Sequence, residues 1–164
     1  MKSFFIASIF MIFMVGCADK SAFSKFDMTK SQELAASSLQ SAKIKLKDDI
    51  NGIVSVVYLD EVYPKKYFKN EYFFVFLYLK NKEEMYDPTT IEDINLTLML
   101  NGKLPIKVKQ LPPNNRFSNL VSTNNQWNRY YLVAFEEQKT KKLSIVLKNG
   151  SFSCDPLIYK KDRQ

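Results

Sequence analysis

A chain of 164 residues is long enough for one domain that folds without a disulfide or a metal to hold it. It contains no histidine, which removes the commonest general base, the commonest metal ligand and every Ser-His or Cys-His nucleophile pair. The net charge is +7, with lysines spread along the whole length, a balance that suits either a solubilising surface or an anionic neighbour.

Aromatic residues make up 14% of the chain, with thirteen Phe and nine Tyr, side chains that favour the half-buried faces of strands. Glycine is scarce. Gly16, Gly52, Gly102 and Gly150 cannot be combined into a G-x-G-x-x-G or G-x-x-x-x-G-K phosphate loop. Neither the Cys/His spacing of a zinc site nor the D-x-D-x-D-G loop of a calcium site occurs, so no metal and no cofactor is expected.

In chain order, Met1-Lys2-Ser3 gives a short positive start, and Phe4 to Val15 is an apolar run broken only by Ser8. About 20 apolar residues are needed to span a bilayer, so this run matches the core of an export signal instead. It ends in Met14-Val15-Gly16-Cys17, which resembles the lipobox of bacterial lipoproteins, where a small residue precedes the cysteine. The resemblance implies that diacylglycerol is attached to the Cys17 thiol, that a dedicated peptidase removes residues 1–16, and that the new amino group is acylated. Two or three acyl chains anchor a protein far more firmly than one. Ala18, rather than Asp, follows the cysteine, so the common inner-membrane retention signal is absent and the implied destination is the outer membrane. Cleavage after Ala18, giving a secreted protein, and an uncleaved leader are the alternatives for the same residues. With Cys17 lipidated, Cys154 has no cysteine left to pair with, and it reads as a packed thiol.

Residues 17–38 read as a lipidated tether followed by one short helix. Phe23, Phe26 and Met28 are candidate docking points in the tether, and Thr29 or Ser31 is the candidate cap of a helix running through Ser38. From residue 39 to 164 the periodicity is that of strands. Ala42, Ile44 and Leu46 alternate with Lys43, Lys45 and Lys47, and Asn51-Gly52 predicts a hairpin turn into Ile53–Val62. Glu71–Lys80 is apolar on both faces and predicts a central strand covered on both sides. Ile91–Leu100 alternates, Asn101-Gly102 predicts a second tight turn, and Lys103–Leu111 follows as an edge strand because Pro105 cannot donate to a ladder. Arg129–Glu136, Lys142–Lys148 and Pro156–Lys160 complete about eight strands. The fold class is therefore all-β: an antiparallel two-sheet β-sandwich, Ig-like in the broad sense, with one short N-terminal helix.

Trp127-Asn128-Arg129-Tyr130-Tyr131 is the most distinctive local run. Exposed, Trp127, Arg129 and Tyr130 would stack on sugar rings or on a partner protein; packed, Trp127 would plug one end of the sandwich, with a tyrosine turned inward and its hydroxyl bonded to backbone. Tyr67, in the basic and aromatic connection Tyr63–Phe68, is a further candidate contact. The lysine sets 43/45/47 and 103/107/109 read as solvent faces that deter edge pairing, or as a docking surface for anionic headgroups or a cell-wall polymer. The acidic pairs Asp48-Asp49, Glu83-Glu84, Glu92-Asp93 and Glu136-Glu137 lack the arrangement of a glycosidase couple, since adjacent acids on a strand face opposite ways. No catalytic residue is assigned. The expected role is a non-enzymatic accessory of the cell envelope, anchored in a membrane through diacylglycerol on Cys17 and bound to another envelope protein. A carbohydrate- or cell-wall-binding module is the alternative, and a carboxylate-dependent hydrolase the more distant one. Export argues against a nucleic-acid partner.

Overall fold

The computed structural model describes residues 27–67, 69–80, 84–89, 96–150 and 152–161. The leader, Cys17, the tether aromatics Phe23 and Phe26, and the first part of the strand expected at Ile91–Leu100 lie outside the described residues. No helix among the described residues is long and apolar enough to cross a membrane.

Helix α1 (Lys30–Ser38) starts where the sequence indicates. Thr29 is extended, its hydroxyl accepts from the Gln32 amide, and the Gln32 side chain accepts in return from the Thr29 amide, 2.8 Å away. This reciprocal cap satisfies two amides that the first turn leaves without a helical acceptor. Strand β1 (Gln40–Leu46) and strand β2 (Asp49–Tyr58) form the first hairpin.

The turn is not at Asn51-Gly52. It falls at Lys47-Asp48, with Lys47 at φ +54°, and the pairing then jumps from Lys45↔Ile50 to Ile44↔Gly52, leaving Asn51 as the extra residue of a β-bulge. The glycine serves packing instead. A Cβ on Gly52 would lie 2.9 Å from Leu79 Cδ2 and 3.1 Å from Leu79 Cα, and closer still to the Tyr78 carbonyl oxygen.

The strand expected through Val62 stops at Tyr58, and one helical turn, α2 (Leu59–Val62), carries the chain onward. Strand β3 (Asn70–Leu79) is central as expected, paired with β2 on one side and with β6 (Arg129–Glu136) on the other. Strand β4 (Thr97–Leu100) leads into the tight turn expected at Asn101-Gly102, with φ of +48° and +79° and mutual backbone bonds between Leu100 and Lys103. The return strand expected over Lys103–Leu111 does not form against β4. Pro105 has no N–H to continue that ladder, so pairing ends after the Leu100–Lys103 bridge, and Leu104 and Ile106 are left 47% and 42% exposed. The chain pairs again only as β5 (Lys107–Leu111), which crosses to β6 and forms the last strand of the sheet.

Strand β7 (Lys142–Asn149) has β4 on one side and a return strand broken in two on the other, β8 (Phe152–Cys154) and β9 (Leu157–Lys160). The break falls at Asp155-Pro156, where proline again withholds a donor. The nine described strands form one antiparallel sheet in the order β4-β7-β8-β1-β2-β3-β6-β5, with β9 beside β7, in place of the two separate sheets expected. That sheet is curled into a half-barrel: Leu98 of β4 and Val108 of β5, at opposite ends of the order, share one buried cluster with Phe73, Val75, Leu77 and Ile145 on the concave side. On the convex side α1, α2 and the 3-10 turn Ser118–Leu120 cover Val57, Phe74 and Tyr130. Strands β2, β3 and β6 are thus buried on both faces, which is why β3 carries almost no polar side chain.

The register gives the sheet two ends. The tip end holds the β1–β2 turn, Leu79 and Arg129; the base end holds Tyr58, Asn70, Leu100, Glu136, Lys142 and Lys160.

Candidate functional site

The four candidate contact residues do not converge on one groove. Tyr130 is buried and stacked against Phe74, with ring centroids 6.2 Å apart and planes 10° apart, and its hydroxyl donates to the Asn125 carbonyl at 2.9 Å. Asn125 also accepts at its side-chain oxygen from the amides of Trp127 (3.1 Å) and Asn128 (2.9 Å). This Asx turn reverses the chain above Tyr130 and leaves the indole of Trp127 outside, 80% exposed. Trp127 therefore does not plug the fold, whereas the inward tyrosine bonded to backbone is found as described. Arg129, half-buried, opens β6 opposite Leu77. Tyr67 lies elsewhere on the convex side, with its ring 4.8 Å from that of Tyr72 and its hydroxyl accepting from Arg116 at 2.7 Å. Burial pushes the Tyr67 hydroxyl above its usual pKa, against the opposing pull of the Arg116 charge.

Trp127 has apolar company at the tip end. Ile53 and Tyr78 are cross-strand partners on β2 and β3, 47% and 44% exposed, on the part of the convex face beyond the two helices. Leu46 and Ile50, flanking the hairpin turn, are 39% and 44% exposed at the same end. Five of the seven large exposed apolar side chains among the described residues thus gather at one end of the sheet. Singly exposed apolar residues need no explanation, so it is their shared end of the sheet that makes this region a candidate contact surface. The lysine sets 43/45/47 and 103/107/109 all face solvent, the first on β1 and its turn, the second near the base.

The polar cluster that sequence reasoning missed is at the base end. Glu71, the second residue of β3, has no solvent exposure. Its carboxylate accepts from the Lys161 ammonium, from the Tyr58 hydroxyl, and from the Gln138 amide at 2.9 Å, while Lys161 also donates to the Gln138 carbonyl at 2.7 Å. The Tyr58 hydroxyl oxygen lies 3.2 Å from Asp60 Oδ2. Burial by itself would raise the Glu71 carboxyl, but the bonds from Lys161, Tyr58 and Gln138, together with the lysine charge, outweigh it and hold the carboxyl below its usual value. This is the one place among the described residues where two buried acids approach a common group. The acid pairs Asp48-Asp49 and Glu136-Glu137 sit exposed at opposite ends of the sheet, and the Glu92-Asp93 pair and Glu83 lie outside the described residues. The Glu71 carboxylate has no exposure and is matched by the adjacent ammonium. The arrangement is a lock joining β2, β3, the β6–β7 loop and the C-terminal end of β9.

The signal for this lock was strand parity. Glu71 shares a face with Phe73, Val75 and Leu77, and Lys161 continues the inward row of Leu157 and Tyr159, so both charges were bound for the interior.

Cys154 is buried. Its Sγ accepts from the Leu147 amide at 3.2 Å, and burial raises the thiol pKa, as suits a packed side chain rather than a nucleophile. Among the described residues no group of three or more His, Cys, Asp and Glu side chains is placed to hold a metal.

The chain matches no protein-family model, no curated protein and no solved structure.

Proposed function

We propose that this protein is an exported lipoprotein, held on the bacterial outer membrane through diacylglycerol on Cys17, and that it works without catalysis by binding another envelope protein. The anchor rests on the apolar run ending in Met14-Val15-Gly16-Cys17. The binding role rests on the tip end, where Trp127 stands 80% exposed at the same end as the uncovered Ile53–Tyr78 pair. Tryptophan and tyrosine carry much of the energy of protein contacts, because each buries a large rigid surface at little conformational cost. We read the curled sheet as sandwich-like in one sense: its halves, β4-β7-β8-β1 and β2-β3-β6-β5, close over a common core, leaving the tip free to make contact. A photo-reactive residue placed at 127 or at 78 in intact cells should give the same discrete protein adduct, while one at Lys107, at the base, should not. Absence of an adduct from both tip positions contradicts the reading.

A cell-wall glycan is the second reading, favoured by the solvent-facing indole alone, since Tyr130 is buried. Retention on purified peptidoglycan that is lost in Trp127→Ala would replace the protein partner with a polysaccharide.

A further inference from the structure

The base end presents solvent-facing lysines on three neighbouring segments. The β4–β5 connection, the β6–β7 loop and the C-terminal end of β9 are tied together there. Asn101 accepts at its side-chain oxygen from the Ser144 amide at 2.9 Å and reaches Thr140 with its side-chain nitrogen at 3.3 Å; the Ile106 amide donates to the Ala134 carbonyl, and the Lys161 amide to the Lys141 carbonyl. Lysines 103, 107, 139, 141, 142 and 160 face solvent on these segments. The acids of the same rim are exposed Glu136 and Glu137, with Glu61 half-buried, while Glu71 is already matched by Lys161. Leu104 and Ile106, the pair that Pro105 releases from the sheet, lie between the exposed Lys103 and Lys107 of this rim and are themselves exposed. Between the lysines lies a hollow of about 240 Å³ lined by Glu137, Gln138, Lys139, Thr140, Lys141 and Lys161. Lysines framing a few exposed aliphatic side chains match the two layers of a membrane surface, charge at the headgroups and hydrocarbon just beneath.

We propose that the base end rests on an anionic phospholipid surface, with the rim lysines on headgroup phosphates and Leu104 and Ile106 dipping below them, so that the tip points away from the membrane. This deepens the lipoprotein reading and rests on it. The tether is compatible: Ser38, at the C-terminal end of α1, bonds to Tyr58 at the base, the nine residues of the helix span about 14 Å, and the chain from Cys17 to Thr29 spans at most about 40 Å, more than the helix it must run past. An acyl-anchored domain is thereby given an orientation as well as an address.

The test uses the processed chain from residue 17 onward carrying Cys17→Ser, so that no acyl chain contributes. The result is then independent of whether Cys17 is lipidated in cells. Sedimentation with phosphatidylcholine vesicles containing about one-third phosphatidylglycerol should retain the protein, and vesicles of phosphatidylcholine alone should not. Each lysine near such a surface is worth about fivefold in affinity. The triple variant Lys139→Glu/Lys141→Glu/Lys142→Glu should therefore lose binding by at least about tenfold. The variant Lys43→Glu/Lys45→Glu/Lys47→Glu, with the same change in net charge nearer the tip, should lose much less. Orientation is read from the lone tryptophan. Brominated acyl chains should leave Trp127 emission unchanged in the bound protein and should quench it when the indole is moved by Trp127→Phe/Leu104→Trp. Equal losses in the two triple variants, or quenching of Trp127 itself, overturn the proposal. So does failure to bind anionic vesicles, which would leave an acidic protein face as the occupant of this rim.

Discussion

Lys161, at the end of the last described segment, donates to Glu71 on β3, and the ion pair is closed from above by the Gln138 backbone. Residues 90 positions apart are thus held together in a site where both are almost wholly buried, 7% and 0% exposed. Removing one partner of a buried pair strands the other charge in a medium of low dielectric, which costs more than the pair itself contributes. Glu71→Gln and Lys161→Met should each lower the unfolding free energy by roughly 3–5 kcal/mol in urea titrations. The double variant should be less unstable than the sum of the two. Additive losses would show that the two groups do not act as a pair.

The same pair makes stability sensitive to acid. The folded carboxyl of Glu71 sits below its ordinary value of 4.5, so the folded state binds this proton less readily than the unfolded chain does. Its contribution is fully present above that value and is lost as pH falls through the folded value. The stability gap between the native protein and Glu71→Gln should therefore be constant from pH 7 to about pH 5 and narrow at lower pH. A gap that stays constant down to pH 3 would place the Glu71 charge outside the stabilising interactions.

Gly52 is fixed by its neighbour strand rather than by backbone conformation. Gly52→Ala puts a methyl group into the Tyr78 and Leu79 backbone, and should cost at least about 2 kcal/mol or disrupt the β2–β3 pairing. Gly150→Ala meets no atom within 4 Å and should stay within about 0.5 kcal/mol of the native protein. Equal effects, read from thermal or urea unfolding, would show that the close approach at Gly52 is not what selects the glycine.

Strand identity was legible wherever a long apolar or alternating run left one solution. Arg129–Glu136 and the core of Glu71–Lys80 form as read, and Asn101-Gly102 turns as its positive-φ pair demands. Asn51-Gly52 carries the same dipeptide and does not turn, because what decided its place was the approach of Leu79 from another strand, a contact no local pattern records. Pairing was also hidden. The alternation of Leu104, Ile106 and Val108 is continuous in sequence, yet only Val108 enters the core, since a single missing N–H at Pro105 redirects the strand to a new neighbour. The same limit explains the single curled sheet: periodicity tells which face of a strand is buried, not whether the opposing wall belongs to another sheet or to the far end of its own. The base lock was readable in part, because parity sent Glu71 and Lys161 inward. Their meeting depends on the β7–β9 ladder and was not. For Trp127 the exposed and the packed readings both stood open in the sequence, because its exposure is set by the Asn125 side chain, two residues earlier.

Everything proposed for the function begins at residue 17. Cells expressing the protein and fed labelled palmitate should yield a labelled product that fractionates with membranes, and Cys17→Ser should lose the label and accumulate with residues 1–16 still attached. An unlabelled mature chain, or a serine variant processed and fractionated like the native protein, would contradict the account at its root.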